Sequence, residues 1–171
     1  QSGNTGGLTW AAAPAGITGA DQWRQTANLT GNTVPISANL ERNDTASYGS
    51  IGSAMTVSSG IFTFPSTGRW RVEAVFAFST LASNGGNMYG YIQSTANNSS
   101  YVDQVEIHFF AKGSANDSSS SVSGHFLFNV TNTSNDKVRF LQNNFGNSGD
   151  GSYGNTARNM TYFTFTRLGD T

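Results

Sequence analysis

The chain has 171 residues, a formal net charge of −1, 11% charged and 12% aromatic residues, and no cysteine. Those totals exclude a basic nucleic-acid binder, a disulfide scaffold or Cys-ligated metal site, and a disordered chain, which has few aromatics. The expectation is one domain with a core built on its 12 Phe residues, a Ser/Thr/Asn/Gly surface, and no apolar run long enough for a membrane helix.

Residues 1–20 are rich in Gly, Ala and Pro and read as an extended arm or linker, with Leu8 and Trp10 as its anchoring side chains; residues 21–171 form the folded part. Asp21–Leu29 alternates loosely around Trp23 as a first strand, and Thr33–Glu41 is an edge-like segment broken by Pro35. Met55–Val57 and Ile61–Phe64 bracket Ser58-Ser59-Gly60, a hairpin signal. After the Pro65–Gly68 turn, Trp70, Val72, Ala74, Phe76 and Phe78 share one face of a long strand over Arg69–Thr80. Its other face carries Arg69, Arg71, Glu73, Val75 and Ala77, set against solvent or a neighbouring subunit.

Further strands are expected over Met88–Thr95, Tyr101–Ala111, Val122–Val130, Lys137–Asn143 and Asn159–Leu168, with Gly90 marking a bulge or close approach. Loops are expected over 82–87, 96–100, 112–121 and 144–158. No segment keeps a helical period over three turns. About eight to ten strands with short turns predict an all-β antiparallel sandwich or barrel.

Catalytic signals are absent from this pattern. His108 and His125 sit in strands beside Phe residues, and the nearby Glu106 makes one acid–His pair without a nucleophile. The acids are scattered, and no local motif proposes a glycosidase pair. Asn147–Gly151 lacks the spaced acids of a Ca²⁺ loop, so no metal or cofactor is assigned. The polar loops are the better candidates for recognition, through Asn84, Asn98, Tyr101, Asn116, Asp117, Asn147, Asp150 and Tyr153.

The ordered set Gly60, Phe62, Pro65, Gly68, Trp70, then YGYIQST, SVSGHFLFNV, KVRFLQN and MTYFTFTRL resembles the C1q/tumour-necrosis-factor-like jelly roll. A second resemblance covers nearly the whole chain. The segments Gly6–Trp10, Asp21–Arg24, Ala38–Asp44, Ser58–Gly68 and Thr164–Gly169 resemble C-terminal domains of structural proteins of marine tailed bacteriophages. The resemblance implies a homotrimeric, non-enzymatic domain on the virion surface. It would be a fibre tip that binds a host glycan or protein through polar loops. Alternatively it would be a capsid decoration protein held to the shell by the Leu8–Trp10 arm; a polysaccharide depolymerase is disfavoured. In a trimer, Phe110, Leu127, Leu141 and Tyr162, which lie opposite the Phe faces of their strands, would line the interface. Neither nucleic acid nor membrane insertion is expected.

Overall fold

The computed structural model describes residues 16–81, 86–112, 117–145 and 149–171, and among these every regular element is a strand. In chain order the strands are β1 (Gly19–Gln25), β2 (Leu29–Thr30), β3 (Leu40–Arg42), β4 (Thr56–Ser58), β5 (Ile61–Thr63) and β6 (Gly68–Thr80). They continue with β7 (Gly86–Thr95), β8 (Val102–Ala111), β9 (Ser118–Val130), β10 (Lys137–Asn143), β11 (Gly151–Ser152) and β12 (Tyr162–Gly169). Their pairings are antiparallel and make two sheets. The first runs β2-β11-β6-β12-β1-β3, with β9 paired to the free side of β6; the second runs β4-β5-β10-β7-β8. This is the jelly-roll sandwich expected from the sequence.

The period-two reading of β6 is borne out: Trp70, Val72, Ala74, Phe76 and Phe78 are all fully buried. They meet Phe62 and Phe64 from the β5 region, Phe140 from β10, and Phe163 and Phe165 from β12. Phe140 and Phe163, from opposite sheets, stack with centroids 3.8 Å apart and planes 8° from parallel. Each fully buried Phe contributes roughly 1.5–3 kcal/mol of transfer free energy. The aromatic layer is therefore the main cohesive element between the sheets.

The hairpin signal is also borne out. Ser58 pairs with Ile61 across Ser59 and Gly60, which both hold positive φ (49° and 78°). That conformation is characteristic of a two-residue primed turn. A side chain at Gly60 would also strike the Ile36 carbonyl, 2.4 Å from an added Cβ.

Three expectations about elements are corrected. The expected loop over 112–121 ends early, because β9 begins at Ser118; Ser118–Ser121 pair with Ala77–Thr80 of β6, so ladder hydrogen bonds override the weak strand propensity of serine. The edge segment Thr33–Glu41 forms a strand only from Leu40. Upstream, Thr33 bridges Gln142 and Ile36 donates to the Phe140 carbonyl at 2.8 Å, while Pro35 has no N–H to extend the ladder. The loop over 144–158 contains β11, which pairs with both β2 and β6.

Candidate functional site

The sandwich has two outward faces. On the first sheet, cross-strand rows place Leu127 beside Arg71 and Thr166, His125 beside Glu73 and Thr164, and Ser123 beside Val75 and Tyr162. Arg71 and Glu73 pair at 2.6 Å. Toward β1 the face is polar: Gln22 donates to Thr164 Oγ1 at 3.1 Å and accepts from Asn43 and Asn159. Its open apolar surface lies at one end, around Leu127 and Leu168, since the rest of the outward β9 row is Ser119, Ser121, Ser123, His125 and Asn129. Leu127 is 67% exposed and Leu168 is 48% exposed, and both line an open groove of about 660 Å³ with Arg69, Phe128 and Asp170. Two leucines left this open by a well-filled monomer suit burial against another surface.

The second sheet's outer face carries a cluster of rings. Tyr89 and Tyr91, two residues apart on β7, have centroids 6.1 Å apart. His108 of β8 stands edge-on to Tyr89 at 4.6 Å, and its Nε2 donates to Glu106 Oε1 at 2.5 Å. Burial first, and then the Glu106 carboxylate, push the Tyr91 phenol above its ordinary pKa. One row further along, Arg139 of β10 lies 3.9 Å over the Tyr101 ring and donates to Gln93 Oε1 at 2.6 Å. Gln93 in turn donates to Asp103 at 2.6 Å. Burial also raises the Tyr101 phenol, whose buried Oη has no hydrogen-bond partner among the described residues.

The four expected interface residues divide between these surfaces. Leu127 and half-buried Tyr162 share the first sheet's outer face. Phe110, 67% exposed, lies on the second sheet in register with Asn87. Leu141 is corrected: it is 4% exposed within one chain and has almost no surface left for a partner. It sits in register with Tyr91 of β7, and on its other side the Thr33–Ile36 segment runs beside Phe140–Gln142, beyond the end of β5.

The loop residues fare unevenly. Asn98 is exposed, with φ of 56°, and its N–H is fixed to the Asn135 carbonyl at 3.0 Å. Asp117 is exposed. Asp150 is corrected as a contact residue: it is 4% exposed, and its carboxylate accepts the Leu81 N–H at 3.0 Å, tying the loop to the end of β6. Tyr153 is half-buried, and its hydroxyl meets Ser79 Oγ at 2.8 Å. Asn84, Asn116, Asn147, Leu8 and Trp10 lie outside the described residues.

The segments 21–24 and 38–44 converge on one polar clasp. The buried Asp21 carboxylate accepts from Arg42 Nε at 2.7 Å, Tyr48 Oη at 2.7 Å, Met55 N at 2.8 Å and Trp23 Nε1 at 3.3 Å. Fully buried Arg24 donates to Glu41 at 2.7 Å, Asn43 at 3.2 Å and Asp44 at 2.5 Å. The hydrogen bond to Asp21 raises Arg42, while burial and then Asp21 raise Tyr48. These bonds join β1 to β3 and to the chain that follows it, so this cluster is scaffold. Among the described residues, no group of three His, Cys, Asp or Glu side chains could hold a metal ion.

No family model matches the sequence, and no curated protein sequence matches it. Solved structures do match in shape. The Eiger TNF of S. frugiperda aligns with a TM-score of 0.66 at 11% identity, covering 92% of this chain and 96% of that one. Murine APRIL at pH 5.0 aligns at 0.63 and 9% identity, covering 88% and 98%. The globular domain of zebrafish complement 1qA protein aligns at 0.52 and 14% identity, covering 89% and 96%. At such identities the likeness shows the fold, a C1q/TNF-like jelly roll, and nothing finer.

Proposed function

We propose that this chain is a non-enzymatic surface module that self-associates as a homotrimer through the outer face of its first sheet. The observation that carries the reading is the pair of open leucines, Leu127 and Leu168, beside a groove on a face that also presents Val75 and Tyr162. The C1q/TNF-like fold is compatible with it, since association would cover the long edge strand β9, whose free side has no strand paired to it among the described residues.

The setting we propose is the virion surface of a tailed bacteriophage, at a fibre tip that contacts the host. The support is the ordered set of segments spread from Gly6 to Gly169, two of which build the clasp around Asp21 and Arg24. A capsid decoration protein is the second reading, favoured by the arm segment Gly6–Trp10. Adsorption competition tests the first. Purified domain at saturating concentration is expected to block attachment of the phage that carries it. Unimpaired adsorption overturns the tip reading, and antibody labelling of the shell would then assign decoration.

A further inference from the structure

The ring cluster on the second sheet has no part in the self-association just described, and it lies on strands rather than on the polar loops. Its register is regular. Tyr89 pairs with His108 and Tyr91 with Glu106, while Gln93 pairs with Asp103 on one side and Arg139 on the other. The result is a stripe across β10, β7 and β8, closed at one end by exposed Phe110 and at the other by Tyr101.

Two properties define what such a stripe can hold. First, it has no cation to spare. Its one arginine, Arg139, is joined to Asp103 through Gln93, and the Glu106 carboxylate is held by the His108 ring. No surplus of cations is left to neutralise phosphates or carboxylates, so an anionic partner gains little. Second, the side chains hold one another in place by ring contacts and hydrogen bonds, so little rotamer freedom remains to be lost on binding. Tyrosine rings supply broad, rigid contact area with a polar rim. A ligand complementary to this has apolar C–H faces, many hydroxyls and no charge.

We propose that the outer face of the second sheet is a docking track for an uncharged polysaccharide chain. Sugar rings would lie on Tyr89, Tyr91 and Phe110, and their hydroxyls would exchange hydrogen bonds with Glu106, His108 and Gln93. The track follows the strands, which suits an extended polymer. The proposal does not depend on where the domain sits on a particle, because the purified chain suffices to test it.

The experiment is affinity electrophoresis of the full chain through native gels containing dextran, mannan or xylan, with alginate as the anionic comparison. The expected result is retardation in at least one neutral gel, with affinity reduced at least about tenfold by Tyr91→Ala. His108→Ala is the second variant; this side chain is 55% exposed, so its removal leaves the fold intact, and the same loss is expected. Retardation in no neutral gel, retardation in alginate alone, or neutral-gel retardation unchanged by either folded variant overturns the proposal. The first of those outcomes would leave this face to a protein partner.

Discussion

Gly90 of β7 lies directly beneath Phe76 of β6: a Cβ placed on Gly90 would stand 2.5 Å from two carbons of the ring. The missing side chain is what lets the two sheets close over the aromatic layer at this point. Phe76 cannot yield, because it is stacked on Phe78 at 5.1 Å and meets Phe163 at 6.0 Å. Gly90→Ala is therefore expected to overpack the core and cost about 1–3 kcal/mol. At this chain length that corresponds to a fall in Tm of roughly 2–4 °C per kcal/mol, measurable by calorimetry.

Asp21→Ala should cost more than Arg42→Ala. The Asp21 carboxylate is buried, and its removal strands the Met55 N–H and the Tyr48 hydroxyl. Leaving buried donors unpaired costs about 1–3 kcal/mol each. Arg42 is partly exposed, so water replaces much of what it loses. Denaturant midpoints at equal protein concentration would rank the two, and a larger loss for Arg42→Ala would contradict the clasp.

Leu127→Asp and Leu141→Ala should separate assembly from folding. Leu127 is open to solvent in one chain, so a carboxylate there is expected to weaken self-association while the strand signal in circular dichroism is retained. Leu141 is buried within the chain, so its truncation should cost about 2–5 kcal/mol of stability and leave the subunit count unchanged. Sedimentation velocity together with thermal melting reads both.

Alkaline titration should reveal late tyrosines. Burial raises the phenols of Tyr48, Tyr91 and Tyr101 above the ordinary value of about 10. Between the unfolded and folded pKa values the native chain holds more protons than the unfolded one. Stability from these groups is thus complete below pH ~10 and is lost as the pH rises through the folded values. Absorbance at the tyrosinate band should show Tyr48, Tyr91 and Tyr101 ionising above the ordinary phenol range, and substitution of each by Phe should remove its late step.

Much of this architecture was legible from period two and turn chemistry. The core face of β6, the Ser59-Gly60 turn, the bounds of Lys137–Asn143 and the close approach at Gly90 all followed from local pattern. What was not legible depends on which strand lies beside which. Leu141 alternates as an outward residue, yet its strand is central in the second sheet and its surface is covered. Asp150 sits in a polar, Gly-rich loop, yet it folds back to cap the end of β6. The contact between Tyr89 and His108 joins residues on separate strands, and only the β7–β8 register brings them together. The clasp around Asp21 likewise needs β1 and β3 to be neighbours; the motif residues were visible, but their mutual contacts were not.

In the proposed trimer two further copies of the chain bury the first sheet's outer face. Sedimentation equilibrium at micromolar concentration tests it most directly. A single species of about three times the 18.1 kDa of one chain is expected, and Leu127→Asp should dissociate it toward the monomer. A wild-type chain that stays monomeric at that concentration would contradict it.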